Sequence, residues 1–225
     1  MTGQVDFCTP KPAVFHSLNE EELTILRKNS FEVDFKEGET IFKQGSPLTH
    51  IIYLTEGKAK LLLENSNQTI LMKIVQESDI IIGPGFNRDY RHYFSVVAIQ
   101  DTRACFINVD IFKQFIELNT SFALSLIDFI HEDTVSHFDK IKNLTNKHMN
   151  GRLADTLLYL SDDIYKSHEF LTSLSRMDLA NMSSMTKESV IRTLKNFKED
   201  HIIDCKGNEF KILNKEVLID ISKKG

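Results

Sequence analysis

Between Phe31 and Val109 the chain is cut into short apolar runs with turn residues between them, and this alternation constrains the fold more than any other feature. The runs at 40–42, 51–54, 58–63, 70–75, 80–82, 94–99 and 104–109 are too short for helices. They are separated by Glu37-Gly38, Gly45-Ser46-Pro47, Glu56-Gly57, Asn65-Ser66-Asn67 and Gly83-Pro84-Gly85. Phe31, Val33 and Phe35 alternate with Glu32, Asp34 and Lys36, the period of a strand with one buried face. Many short strands at this spacing predict a sandwich or barrel.

Helical patterns flank this region. Asn19 followed by Glu20, Glu21 and Glu22 predicts a capped helix start running to about Asn29, with acids at the positive end of the dipole. The strand signals stop at Asp110; a helix over 111–118 then leads into a longer one near 120–147. Along the longer helix Ala123, Ile127, Ile130, Thr134, His137, Ile141, Leu144 and His148 are spaced alternately four and three apart, a coiled-coil seam with polar members at Thr134 and His137. Phe122, Leu126, Phe129 and Phe138 make a second stripe, so one stripe can face the barrel and the other a second subunit; packing of the whole helix on its own domain is the alternative. Met149-Asn150-Gly151 reads as a hinge. The chain therefore divides into residues 1–118, a helix and hinge over 119–148, and a small domain over 149–225, an α+β class.

Composition narrows the function. With 225 residues, 41% hydrophobic and 26% charged, the chain can bury a core, which excludes disorder as its main state. No apolar run approaches the roughly 20 residues of a membrane span, and no basic start leads an apolar segment, so neither a membrane partner nor a signal peptide is expected and the cytoplasm is the expected location. Net charge is −5, with 15 basic and 20 acidic residues before 149 and 12 of each after it, so a nucleic-acid reading must rest on a local patch. Cys8, Cys105 and Cys205 are few and far apart with no C-x-x-C. That argues against a disulfide framework, a structural zinc site or a four-thiolate iron–sulfur cluster, and fits a reducing compartment. His131 and His137 lie six apart on different helix faces, and no histidine pair has ligand spacing, so no metal or haem is expected.

The segment 175–200 carries the chemistry. Ser175 with Asp178 three residues on forms a capping-box pattern ahead of a short helix with Leu179 and Met182 inward. Ser183-Ser184-Met185 breaks it. Thr186 caps a second helix whose Val190, Leu194 and Phe197 form an apolar stripe, which together make a helix-turn-helix. Thr186, Lys187, Glu188, Ser189 and Arg192 crowd the exposed first turns, with Lys195 and Lys198 beyond. From 186 to 198 there are four basic residues and one acid. Such a helix can enter the major groove, where Arg or Lys bonds guanine edges and Glu accepts from the cytosine amino group. A solvated amphipathic helix is the plainer reading of that segment alone. The run from Ile202 to Leu213, turning at Gly207-Asn208, reads as a hairpin and completes a winged helix-turn-helix.

With these pieces in order, the chain resembles the cyclic-AMP receptor protein / fumarate–nitrate regulator (CRP/FNR) family of bacterial transcription regulators over about 18–213. The resemblance rests on Gly38-Glu39-Thr40-Ile41-Phe42-Lys43-Gln44-Gly45, Tyr53-Leu54-Thr55-Glu56-Gly57, Gly151-Arg152-Leu153-Ala154-Asp155-Thr156-Leu157-Leu158 and the ungapped helix-turn-helix. It implies a cyclic-nucleotide-binding-like β-barrel (a jelly roll) over 1–118, a dimerisation helix, and a winged helix-turn-helix. The implied partners are double-stranded DNA, a second copy of the chain and, for an activator, RNA polymerase. By position, Lys187, Glu188 and Arg192 fall where the family reads bases, and Ser175, Arg176, Thr186 and Ser189 where it touches the backbone or adjacent bases. Lys187 stands where the cyclic-AMP-responsive branch has arginine, and a point donor in place of a planar fork implies a different operator preference.

The same resemblance argues against the family's effectors. The ribose-binding glutamate is absent from the loop Ile82-Gly83-Pro84-Gly85-Phe86, the phosphate-binding arginine is replaced in Phe94-Ser95, and the cross-dimer polar pair is His137-Phe138. Arg88, Arg91 and His92 are the nearby cations that could substitute. Gly83, Gly85, Phe94, Ser95, His137 and Phe138 are the candidate effector pocket, expected to be aromatic and less anionic in preference, with no cofactor assigned. No catalytic constellation is visible, so an enzyme is not expected. The alternative to a DNA-binding regulator is a small-molecule-binding module whose C-terminal domain contacts a protein.

Overall fold

Strands β1 (Ser30–Phe35), β2 (Thr40–Phe42), β3 (His50–Glu56), β4 (Lys58–Glu64), β5 (Thr69–Gln76), β6 (Ile80–Ile81), β7 (Ser95–Ala98) and β8 (Thr102–Asn108) follow the apolar runs closely. They form two four-stranded sheets, ordered β1-β8-β3-β6 and β2-β7-β4-β5. The molecule is a computed structural model that describes Cys8 and residues 12–66 and 68–224. Antiparallel pairing sets Tyr53 of β3 opposite Cys105 of β8 and Leu61 of β4 opposite Val96 of β7. Ile51, Tyr53, Leu61, Val96 and Ile107 are buried there, as the alternation requires.

The first strand departs from its expected pattern. Phe31 is half-exposed. Its ring stacks on Phe106 with centroids 5.4 Å apart and meets His50 edge-on at 5.3 Å, so cross-strand aromatic pairing accounts for the residue that alternation assigned to a core.

Helix α1 (Glu20–Lys28) opens with a reciprocal capping box between Asn19 and Glu22. Helix α2 (Val109–Leu118) starts on Asn108, whose side chain accepts from the amides of Asp110 and Ile111. Helix α3 (Thr120–Asn146) follows. Phe122 and Leu126 of α3 are buried with Phe15, Tyr53, Phe112 and Phe115 in one core, and Phe129 packs against it. The Phe122 ring meets Phe112 edge-on at 5.3 Å and stacks on Phe15 at 6.1 Å. Losing such a ring costs about 3–5 kcal/mol. Phe138, expected in the same stripe, is exposed instead; it lies beyond the part of α3 that belongs to this core.

Cys8 and Cys105 form a disulfide across 97 residues, with Cα atoms 5.9 Å apart and both residues fully buried in this core. This corrects the expectation of no disulfide. Spacing along a chain does not reveal that β8 carries Cys105 to the position where Cys8 lies. Cys205 is the free cysteine.

The chain separates within α3. One compact unit takes in the sandwich apart from the first part of β5, and α3 through Val135; the other runs from Ser136 to the C-terminal helix and includes the stretch Gln68–Lys73. In the second unit α4 (Met149–Tyr159) begins straight after His148. The break after α3 is therefore Lys147-His148, and Gly151, assigned to a hinge, is buried inside α4. A π-helical turn at Leu160–Ile164 leads to β9 (Glu169–Leu171), α5 (Arg176–Ser183), α6 (Lys187–Glu199), β10 (Ile203–Lys206), β11 (Glu209–Ile212) and α7 (Lys215–Lys224). Leu153, Leu157, Leu179, Val190, Leu194, Phe197 and Leu218 form its buried interior. The turn, β9 and α7 were not foreseen; β9 pairs with β11 and makes the wing three-stranded, with the order β10-β11-β9.

Candidate nucleic-acid interface

Helix α5 is capped by Ser175, whose hydroxyl oxygen accepts from the Asp178 amide while the Asp178 carboxylate accepts from the Ser175 amide. It ends at Ser184 in the left-handed region (φ 49°), a single-residue reversal that separates the two helices. Thr186 then caps α6, its Oγ1 accepting from the Ser189 amide at 3.2 Å. The N-terminus of α6 presents free amides and the positive end of a helix dipole, a setting suited to phosphate.

The two faces of α6 differ sharply. Val190, Thr193, Leu194 and Phe197 are buried, while Lys187, Glu188, Arg192 and Lys195 are exposed and share the opposite face. Lys195 pairs with Glu199 at 3.5 Å one turn further on. Ile191 lies on this exposed face as well, and composition-led reading passed over it. Its position three residues after Glu188 and four before Lys195 is the signal that finds it; an apolar side chain there can meet a thymine methyl.

Two of the residues expected at the interface also have partners within the domain. The Arg176 guanidinium lies over the Phe210 ring at 4.9 Å and donates to the Gly207 carbonyl, so it braces the turn of the wing. Lys198 pairs with Asp204 at 2.6 Å and donates to the Cys205 carbonyl at 3.1 Å. Their cations hold β10 and its turn against the helices.

In the sandwich, Phe94 packs its ring against Gly83, where a Cβ would come within 3.2 Å of that ring, and tilts against Phe42 at 5.7 Å. Gly85 approaches the Arg91 carbonyl so closely that no side chain fits. His92 stacks on Phe42 with centroids 3.8 Å apart and is buried; that burial pushes its imidazole down to about 4. The buried Ser95 hydroxyl donates to Glu64 at 2.5 Å and accepts from the Gln44 amide at 2.9 Å. Gln44 in turn bridges the backbone of Glu64 in both directions. Glu64 is absent from the sequence reading, and Phe42, Gln44 and His92 enter it only as motif residues or a nearby cation, because the contacts among them arise only when the strands meet in the fold. Arg91 donates to the Gly45 carbonyl at 2.8 Å, and Arg88 lies over the Tyr93 ring. Gly83, Gly85, Phe94 and Ser95 thus belong to the sandwich unit, and His137 and Phe138 to the other.

Among the described residues no helix is long and apolar enough to cross a membrane.

Comparison with known proteins adds two family matches in the order of the fold. Residues 32–119 match the cyclic nucleotide-binding domain, and residues 151–221 match the Crp-like helix-turn-helix domain. Electron transport regulator A of Shewanella oneidensis is 23% identical over 206 residues, covering 89% of this chain and 80% of that protein. The fumarate and nitrate reduction regulatory protein of Yersinia pestis is 22% identical over 222 residues, covering 96% and 86%. In fold, the chain is similar to FixK2 from Bradyrhizobium japonicum, with a TM-score of 0.77 at 18% identity over 85% of this chain and 96% of that one.

Proposed function

Because this chain belongs to the CRP/FNR family of transcription regulators, we propose that it acts as a cytoplasmic homodimer that reads a two-fold symmetric operator through α6 and does not answer to cyclic AMP. It is a regulator with a helix-turn-helix DNA-binding domain, not an enzyme. One observation carries the finer reading: α6 buries Val190, Leu194 and Phe197 while holding Lys187, Glu188 and Arg192 out on its first two turns. Bidentate or point contacts from these groups to base edges supply sequence discrimination.

Dimerisation is supported by the seam on α3. Ile127, Ile130 and Ile141 are 46%, 43% and 54% exposed, an apolar line beside the stripe already packed at Phe122 and Leu126. A second copy covers such a line with its own in a parallel coiled coil. RNA polymerase is the further partner if the protein activates.

The sandwich residues do not suit a cyclic nucleotide. A phosphate placed against Ser95 meets the Glu64 carboxylate that already accepts the Ser95 hydroxyl's hydrogen bond, and Phe94 supplies a ring where a cation is needed. The cations that could offset the desolvation of an anion there are engaged elsewhere, Arg91 with the Gly45 carbonyl and Arg88 over the Tyr93 ring. We assign no cofactor, haem or iron–sulfur cluster.

Selection from a random duplex library with the full-length protein tests the reading. Enrichment of a palindrome whose half-sites lie about one helical turn apart supports it; binding without any enriched sequence overturns it.

A further inference from the structure

The C-terminal end of α5 is where the two helices of the reading unit turn, and a helix leaves its last carbonyls without intrahelical partners. Cations from two other helices take them. Lys140, on the last turns of α3, donates from Nζ to the Met182 carbonyl at 2.6 Å. Arg152, on α4, donates from Nη2 to the Ser184 carbonyl at 3.3 Å. Through Nη1 the same guanidinium reaches the Leu144 and Lys147 carbonyls at 3.3 and 3.5 Å, where α3 ends. Lys147 pairs with Asp155 of α4 at 2.6 Å and donates to Ser222 of α7 at 3.2 Å. The end of α3, the start of α4 and the turn before α6 therefore meet in one polar knot.

The arrangement is costly for a merely decorative one. The Lys140 ammonium is drawn out of water onto a neutral carbonyl, and burial pushes it down to about 8 despite the pull of Asp155. Removing a lysine from water and freezing its four-carbon stem both oppose folding, whereas the same carbonyls at an open helix end could be satisfied by water. Without the knot, only Lys147-His148 joins α3 to α4, a two-residue link with four soft dihedrals.

We propose that Lys140 and Arg152 are positioning residues for operator recognition, fixing the angle between α3 and the reading helix α6 and so setting the half-site spacing that a dimer accepts. This rests on the reading of the chain as a dimer joined along α3. His137, Ile141 and Leu144 of that seam lie beside Lys140 on α3, so the knot ties the joined stretch directly to Met182 and Ser184, one short turn ahead of Lys187. Inserting one base pair between half-sites displaces one of them by about 3.4 Å and turns it by about 34°. A rigid head cannot follow that displacement; a head on a free two-residue link can.

The test uses the full-length protein and duplexes carrying the selected half-sites at the preferred spacing, at one and two base pairs more and fewer, and as a single half-site. Affinities are read by fluorescence anisotropy at constant salt, because phosphate contacts make absolute values salt-dependent. Wild type is expected to prefer one spacing by about tenfold or more, the scale of a mismatched base pair. Lys140→Met is expected to flatten the preference to within about threefold while leaving single half-site binding unchanged, and Lys140→Arg to restore it. Arg152→Lys keeps the charge but gives up the fork that spans three carbonyls, and should flatten the profile in the same way. Melting curves identify a variant that fails to fold, and Lys140→Met, which deletes one contact from a part-buried stem, keeps the test standing if Arg152→Lys does. A Lys140→Met profile that keeps wild-type spacing selectivity, or that weakens evenly on all duplexes including the single half-site, overturns the inference alone. A wild type that binds no duplex overturns the DNA reading and the inference with it.

Discussion

The Ser95 hydroxyl donates to the Glu64 carboxylate at 2.5 Å, joining β7 to the end of β4 on the strand pair whose register sets Leu62 opposite Ser95. An acid hydrogen-bonded to this serine is expected to disfavour an anion at the site. Losing a charge-assisted contact costs roughly 1.5–3 kcal/mol. The missing carboxylate contact to ribose and the missing cation together amount to about 3–6 kcal/mol, or a hundredfold to ten-thousandfold in affinity. Isothermal titration of wild type with cyclic AMP should show no dissociation constant in the low micromolar range. Such a constant would mean that Arg88 or Arg91 leaves Tyr93 or the Gly45 carbonyl to take the phosphate.

The α3 seam predicts the oligomeric state. Ile130 is half-exposed and lies outside the core around Phe122, so a charge there leaves the single chain folded but cannot be buried between two copies without a large desolvation cost. Light scattering should give dimers for wild type and monomers for Ile130→Asp, with matching melting curves at low concentration. A monomeric wild type at micromolar concentration would remove the dimer from the account.

The disulfide predicts a redox-dependent stability. Closing 97 residues with one bond removes freedom from the unfolded chain, by about 4–5 kcal/mol in the loop-entropy treatment. Oxidised wild type should melt well above the same protein in reductant, and Cys8→Ser should melt low under both conditions. Equal melting of oxidised and reduced wild type would show that the bond adds nothing.

Acid sensitivity follows from His92. Its folded imidazole is held down to about 4 by burial, whereas the unfolded group titrates near 6.5. Between those values the unfolded chain binds a proton that the native chain does not. Stability is therefore complete above about 6.5 and falls as pH drops toward 4, by at most roughly 3 kcal/mol. Denaturant midpoints measured across this range should slope for wild type and flatten for His92→Phe, which keeps the ring against Phe42. An unchanged slope would assign the acid sensitivity to other groups.

What could be read from the chain depended on how local the physics was. Asn19, Ser175 and Thr186 cap the helices they precede because a short polar side chain acts within three residues. The strand runs, the winged hairpin at Gly207 and the two faces of α6 were legible for the same reason, since period and turn chemistry reach only a few positions. Relations set by topology were not. Nothing in the spacing of Cys8 and Cys105, or of Gln44, Glu64 and Ser95, says that the strands bring them together. The second use of a side chain was not legible either: the sequence gives no sign that Arg176 and Lys198 also brace the wing. The hinge was misplaced by the presence of Gly151, which is helical and buried within α4.

Arg192 gives the most direct test of the central claim, that α6 reads base sequence in a symmetric site. It stands exposed on the second turn of α6, above the buried pair Thr193 and Leu194. Affinities of wild type and Arg192→Ala should be compared over every single-base variant of the selected operator. At one symmetric position in each half-site, base changes should cost wild type about 1–3 kcal/mol and cost Arg192→Ala little, with both proteins responding alike elsewhere. Identical responses of the two proteins at every position would contradict base reading by α6.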